Sequence, residues 1–257
     1  MAVAWAKTRS MSRLERVDVD LAAGTIRYPG HMSTIAGVEW DVPTHGTVIG
    51  TLLNDRSALA SLEGAMNVPP YQAPPQSVVL YLKPQNTWTA CGVPVILPAS
   101  VQEVEIGATL GIVIGTAACR VREATALDFV AGYTIVNDLC EPHASVFRPA
   151  IRQRCRDGFC AIGPWVIARQ EVTMPDALDT RVLVNGELRA THRGADRVRS
   201  AARLIADVSE FMTLSPGDVL LAGIAGNAPR ARANDRVRIE IDGVGALENL
   251  LMAEARS

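Results

Sequence analysis

Neither charge is in excess in this 257-residue chain: 25 Lys and Arg stand against 27 Asp and Glu, for a formal net charge of −2. The arginines are scattered among acids, so no basic stripe is available to track a phosphate backbone or an anionic membrane surface. We therefore expect no nucleic-acid partner and no membrane association. Long apolar runs are missing too. The richest, Leu110 to Cys119, is interrupted by Gly and Thr and falls far short of the roughly 20 residues that a membrane helix needs. The amino terminus, MAVAWAKTRSMSR, has no apolar core of signal-peptide length and turns basic early, which leads us to expect a cytoplasmic protein. Five cysteines (Cys91, Cys119, Cys140, Cys155, Cys160) form an odd set with no C-x-x-C pair and no histidine at zinc-like spacing. That usage suits reduced thiols and argues against structural zinc.

Familiar nucleotide and acyl-transfer signatures are also absent: no G-x-G-x-x-G, no P-loop, no G-x-S-x-G. The four histidines, His31, His45, His143 and His192, are too dispersed to define a metal cluster or a triad.

Apolar material is plentiful, at 48% hydrophobic residues against 20% charged. That is enough for one large domain, or one domain with a small appendage. Short strands with turn punctuation dominate: VVLYLKP (78–84), VPVILP (93–98), TLGIVIG (109–115), VAGYTIVND (130–138) and GPWVIA (163–168) read as extended. Asn185-Gly186 and Asp242-Gly243 sit between alternating apolar runs and predict tight hairpins. Three- and four-residue spacing of Val198, Ala201, Ala202, Ile205, Val208, Phe211 and Met212 predicts a helix over 196–213, stopped by Ser215-Pro216-Gly217. A shorter helix is expected over 122–129. Residues 1–46 differ in character, with charge clusters and turn residues, and read as an amino-terminal extension or small strand-rich appendage to a domain over 47–257.

The stretch EVEIGATLGIVIG (103–115) reads as one strand. Residues two apart share a strand face, so Glu105, Gly107 and Thr109 form a row that starts with a carboxylate and continues with almost no side chain. Other polar residues gather at strand ends: Lys83, Asp138, Arg154, Arg156 and Asp157. Lys83, just before Pro84, reads either as an ordinary solvated charge or as a cation that orients a substrate carboxylate. Arg156-Asp157 reads either as a structural ion pair in a turn or as part of a site.

The succession LYLKPQNT, an I-V-I-G strand, EATALDFVAGYTIVND, RDGFCAIGPW, VNGELR, LIADVSEFMTLSPGDVLLAG and VRIEIDGVGALEN resembles, in order, the fumarylacetoacetate hydrolase family from about Gly46 to Leu251. Within it the chain is most similar to the amino-terminal half of an isomerase/decarboxylase branch of aromatic catabolism, in some members of which two homologous halves are fused. The resemblance implies a mixed α+β, predominantly β fold: mixed sheets rolled into a sandwich-like barrel with a few helices. It also implies a dicarboxylate substrate, and either a homo-oligomer or a complex with a paralogous subunit of the carboxyl-terminal type.

Members of the family hold Mg²⁺ or another divalent cation on three carboxylates, which polarises a 2-keto carboxylate and stabilises an enolate. The family pattern is acid-x-acid followed by L-x-x-V-I-G, with the third ligand the Asp of a later Asn-Asp pair. Laid on this chain it falls on Gly107, Thr109 and Asp138, so two of three ligands are missing and we expect no tightly bound metal. Glu103 and Glu105 have the right spacing but sit four residues early, about 13 Å along a strand; we read them as a solvent-facing strand entry. The family's N-Y-x-x-H is here Asn54-Asp55-Arg56-Ser57-Ala58, its lysine before S-x-D-x-F is Arg154, and its T-G-T-P is Ala222-Gly223-Ile224-Ala225.

Three activities follow from the resemblance. In the first, the chain is an isomerase that converts a 2-hydroxy-dienoate to a 2-oxo-enoate. Lys83, Arg154 and Arg156 grip anionic groups, Asp138 is the base with its pKa raised by desolvation, Asp157 is an orienting partner, and His143 is an alternative proton carrier. The second is a catalytically silent partner of a paralogous decarboxylase. The third is a metal-dependent decarboxylase or hydrolase that recruits its cation through Glu103, Glu105 or a partner chain.

Overall fold

The computed structural model describes residues 1–143 and 149–255. An amino-terminal meander comprises β1 (Ala2–Ala6), β2 (Glu15–Asp20), β3 (Thr25–Tyr28) and β4 (His31–Thr34). There follow β5 (Val48–Leu52), the short helices α1 (Arg56–Ala60) and α2 (Glu63–Met66), β6 (Val79–Lys83), β7 (Trp88–Ala90) and β8 (Val95–Leu97). The centre of the chain supplies β9 (Val104–Glu105), β10 (Ala108–Ile114), β11 (Val130–Asp138), α3 (Ile151–Arg154) and β12 (Cys160–Ala168). The last third is β13 (Thr180–Val184), β14 (Glu187–His192), α4 (Ala201–Ser209), β15 (Val219–Leu221), β16 (Arg230–Ala231), β17 (Arg236–Ile241) and β18 (Gly245–Ala253).

The large sheet runs β4-β3-β2-β1-β12-β11-β10-β15-β5-β6, with β7 added beside β12. Its end strands β4 and β6 do not meet, so it stays open. A second sheet, β14-β13-β17-β18-β8, packs on β11 and β12. The expected predominantly β fold is present, as a sandwich rather than a closed barrel. Residues 2–34 join the large sheet through β1, which pairs with β12.

The central strands are buried on both faces, which is why they read as nearly unbroken apolar runs. Leu110, Ile112, Tyr133, Ile135, Trp165 and Ile167 face the second sheet and share the main core with Val182, Ile239 and Leu247. On the opposite face Val48, Val113, Val136, Ile162 and Val219 form a smaller cluster.

All five segments read as extended contain strands, with ends shifted by a few residues. Asn185 (φ 54) and Gly186 (φ 83) make the two-residue turn between β13 and β14, as the positive φ of such turns requires. The second hairpin differs: three residues, 242–244, connect β17 to β18. Helix α4 is shorter than its periodicity implied. Ser200 caps it, accepting from the Arg203 N–H, because Arg197 and Val198 are already committed to backbone pairing with Asp55 and Asn54. The 122–129 segment is a 3-10 helix, Glu123–Phe129. EVEIGATLGIVIG is two strands, not one: β9 pairs with β16, and the chain breaks at Ile106-Gly107 before β10 joins the large sheet.

Candidate active site

Despite that break, the row of small residues keeps its place. The Glu105 N–H donates to the Cys140 carbonyl at 2.8 Å and Cys140 N–H returns a bond at 3.2 Å; Asp138 N–H donates to the Gly107 carbonyl at 2.9 Å. Thr109 lies opposite Val136. Positions 105, 107 and 109 thus face Cys140, Asp138 and Val136, and Asp138 continues the face of the smaller apolar cluster at the end of β11.

Strand β6 brings two more groups to that face, Tyr81 opposite Gly50 and Lys83 opposite Val48. Gly50 makes this possible. A Cβ there would lie 2.0 Å from Tyr81 Cζ, so the phenol crosses β5 only because position 50 has no side chain. The fourth group, Arg154, comes from the end of α3.

Asp138 is fully buried. Its Oδ2 accepts from the Tyr81 hydroxyl and, at 3.1 Å, from Arg154 Nη1. Its Oδ1 lies 2.8 Å from Lys83 Nζ. Oδ1 nonetheless has no aligned hydrogen bond, so this contact acts as an ion pair, while Nζ donates to the carbonyls of Arg154 and, at 3.4 Å, of Leu139. The Arg154 guanidinium also rests 4.7 Å from the centre of the Tyr81 ring, within cation–π range.

These contacts set the charges. Burial pushes the Asp138 carboxyl up, but the charges of Lys83 and Arg154 and the hydrogen bond from Tyr81 outweigh it and hold the group below the usual carboxylate value. Burial, then the Asp138 charge, pushes the Tyr81 phenol well above its usual value, so it remains a donor. The expectation that desolvation raises Asp138 is therefore overturned: with two cations in contact, charge compensation exceeds the effect of burial. A carboxylate with a lowered pKa, held by two donors and an ion pair, is a weak base. Its natural task is to fix the groups around it.

Asp138 also gives a test through pH. A carboxyl with a depressed folded pKa stabilises the fold above its unfolded value, near 3.8, and loses that contribution as pH falls through the folded pKa. In urea titrations between pH 7 and 3, the stability gap between wild type and Asp138→Asn should narrow below about pH 4, where the unfolded carboxyl takes up its proton while the folded one is still ionised. A gap that stays constant to pH 3 would contradict the assigned charge state.

The cluster opens onto a cavity of about 260 Å³. Glu105, Gly107, Asp138, Cys140, His143 and Arg154 line one side; Ala58 of α1 and Ile224 line the other. A larger depression of about 760 Å³ lies by Trp40 and Trp165 and holds none of these residues. Its arginines, Arg181, Arg236 and Arg238, are paired with Glu240, Asp242 and Glu248. The smaller cavity, where buried charges converge, is the candidate site.

Of the residues singled out from sequence, Asp138, Lys83 and Arg154 come together. Lys83 is no solvated charge: it is 1% exposed. Arg156 and Asp157 stand outside the cavity and do not pair with each other. Arg156 bonds Glu141 through Nη2 at 2.7 Å and Nε at 3.0 Å, and the exposed Asp157 accepts from Asn86 Nδ2 at 2.7 Å. Glu103 faces solvent on Arg230, at 2.6 Å, but Glu105 lines the cavity; the β9 break turns it there. Asn54 is a structural clasp, donating to the Ala222 and Arg199 carbonyls, and Asp55 caps α1 through the N–H groups of Ser57 and Ala58. Tyr81 was missed. Its signal was the two-residue spacing to Lys83 in LYLK, which puts both on one strand face, but only the pairing with Gly50 shows where that face points.

Residues 47–252 match the family described as fumarylacetoacetate (FAA) hydrolase C-terminal, and the chain belongs to that family. The 4-hydroxyphenylacetate degradation bifunctional isomerase/decarboxylase of Salmonella dublin is 40% identical over 209 residues, which are 81% of this chain and 48% of that protein. The chain spans about half the length of the curated relatives it matches first. Among solved structures, a 5-carboxymethyl-2-hydroxymuconate delta-isomerase from Mycobacterium smegmatis superposes with a TM-score of 0.81 at 26% identity, covering all of both chains. A maleylpyruvate hydrolase from Sphingobium sp. SYK-6, solved with manganese(II) and pyruvate, shares the fold at TM-score 0.78 and 22% identity over 98% of this chain and all of that one.

The residues here do not fit such a cation. Gly107 and Thr109 offer no carboxylate, and Asp138 is already held by Lys83, Arg154 and Tyr81. Among the described residues no three His, Cys, Asp or Glu side chains converge in a metal-holding group. A hard divalent ion prefers several anionic oxygens, whereas the two carboxylates at this cavity already face cations, Asp138 against Lys83 and Arg154 and Glu105 against Arg230.

Proposed function

We propose that the chain is an isomerase of the 4-hydroxyphenylacetate branch of aromatic catabolism, acting as an amino-terminal-type half or subunit. It shifts the double bonds of a 2-hydroxy-dienoate dicarboxylate to give the 2-oxo-enoate. The observation that carries this reading is the charge balance of the site. Two cations, Lys83 and Arg154, face one buried carboxylate, and the cavity's other carboxylate, Glu105, is paired with Arg230, leaving a surplus positive charge at the cavity wall. Arg154, 13% exposed at its side chain, is placed to grip a substrate carboxylate or the enolate oxygen beside it, and burial strengthens that grip. Asp138 and the Tyr81 ring hold the guanidinium in place. Double-bond migration needs a proton donor and acceptor and a fixed anion grip, without a separate electron sink. The names of the 40%-identical relative and of the isomerase that shares the fold support the same reaction class.

The half-length match to the curated relatives keeps a second reading in play, a silent half that stabilises a paralogous decarboxylase subunit. Ketonisation of 2-hydroxyhepta-2,4-dienedioate, followed in the ultraviolet above the spontaneous rate, separates the readings. Turnover by the chain alone, undiminished by EDTA, is the expected result. No turnover alone, with stabilisation of an added decarboxylase subunit, favours the silent half, and turnover abolished by EDTA and restored by Mg²⁺ would refute the metal-free site.

A further inference from the structure

An isomerase needs a group that moves the proton, and the fixed cluster does not supply one. Asp138 is held ionised, Arg154 stays charged, and burial pushes the Cys140 thiol up to about 12. Of the remaining ionisable groups at the cavity, Glu105 is drawn to Arg230, 3.5 Å away. His143 is the other, and imidazole is the side chain whose ordinary chemistry is proton exchange near neutrality.

The surroundings of His143 favour one tautomer. Nδ1 lies 3.2 Å from the Glu141 carbonyl oxygen and 3.4 Å from Cys140 Sγ, and the Cys140 thiol donates to the same carbonyl at 3.1 Å. A carbonyl only accepts, so the arrangement that satisfies these contacts puts the hydrogen on Nδ1 and leaves the lone pair on Nε2. Among the described residues no hydrogen-bond partner is recorded for Nε2. Glu141 is itself anchored: its N–H donates to the Gln153 carbonyl at 3.0 Å, and its carboxylate takes both Arg156 bonds. Arg156, outside the cavity, thereby acquires a purpose.

We infer that His143 Nε2 is the proton carrier of the isomerisation, held in its base tautomer by the Glu141 carbonyl, with Arg156 as the positioning residue behind Glu141. This assignment rests on the isomerase reading. Nε2 takes the proton of the 2-hydroxyl; the oxygen electrons form the C2 carbonyl, the C2–C3 π pair moves to C3–C4, and the C4–C5 π pair takes a proton at C5. The imidazolium returns the proton it took, so none is consumed.

The experiment compares wild type with His143→Ala and His143→Gln on the same dienoate, and records ¹⁵N shifts of the His143 ring in the resting protein. Expected are a fall in kcat of about 100-fold or more with little change in KM, partial recovery of His143→Ala by added imidazole, and an Nδ1–H resting tautomer. Arg156→Leu should mix the tautomers while Arg156→Lys preserves them. Full activity without His143, no rescue by imidazole, or an Nε2–H resting tautomer would overturn the proposal while wild-type turnover leaves the isomerase reading standing. A tautomer ratio unmoved in Arg156→Leu overturns the positioning role. A wild type that does not convert the dienoate at all defeats both readings.

Discussion

Replacing Lys83 by methionine is expected to cost about 3–5 kcal/mol of stability, the range for breaking a buried ion pair by removing one partner. Both side chains are completely buried at 0% exposure, so neither water nor salt screens the charge left behind. Lys83 also bridges the carbonyls of Leu139 and Arg154, so its loss releases the end of α3 as well. Arg154 would remain beside Asp138 at 3.1 Å, which softens the penalty without removing it. The double variant Lys83→Met/Asp138→Asn should recover a large part of the loss, because an amide at 138 still accepts from Tyr81 and Arg154 and carries no charge to strand. Urea denaturation of wild type, both single variants and the double closes the cycle. A single-variant cost under 1 kcal/mol, or strictly additive effects, would show that Lys83 and Asp138 are not a coupled buried pair.

The second large effect belongs to Gly107. A Cβ added there would lie 2.1 Å from the Asp138 carbonyl oxygen and 2.8 Å from Ile224 Cδ1. The first of these atoms is backbone in the strand that carries the site, so it cannot step aside as a flexible side chain would. Gly107→Ala should therefore cost about 3 kcal/mol, the upper part of the overpacking range, and lower Tm by roughly 6–12 °C for a chain of this size. Gly64, with open space around it, is the control; its change to alanine should be neutral or slightly stabilising. The same crowding bears on the lost ligands. Writing the family's acids back as Gly107→Glu/Thr109→Glu is expected to destabilise the protein without creating Mn²⁺ affinity measurable by calorimetry. Tight binding in that variant would mean that the missing carboxylates, and not the close approach of the two backbones, keep a cation out.

Much of the site was legible along the chain, for reasons that differ residue by residue. Asp138 and Lys83 stood out as polar groups closing apolar strands, and those two strand ends do meet, with Arg154 joining them from the end of α3. Glu105 and Tyr81 were harder. The face that Glu105 presents depends on the break at Ile106-Gly107, where β9 leaves the large sheet for β16, and period-two alternation carries straight through such a break without registering it. Tyr81 reaches Asp138 across Gly50, 31 positions earlier in sequence, and a glycine inside a strand gives no hint of what will cross it. Arg156 and Asp157 look like a local pair because they are adjacent. Their partners, Glu141 and Asn86, come from other segments, and adjacency in a turn says little about where side chains point.

Charge state shows the same division. A carboxylate on an apolar strand is expected to be raised by desolvation, and that effect is present at Asp138. It loses to two cations whose proximity only the sheet order creates: β6 lies at the edge, beyond β5, and its side chains must cross that strand to meet β11. By itself the sequence determined the family, the strand content and the absence of two cation-binding carboxylates, because ordered motifs, apolar alternation and residue identity are local properties of the chain. The tertiary structure alone decided that Lys83 is buried, that Asp138 is an anchored anion, and that His143 shares a cavity with Arg154. Each depends on which strand lies beside which, and strand order is settled by packing between segments that are far apart in sequence.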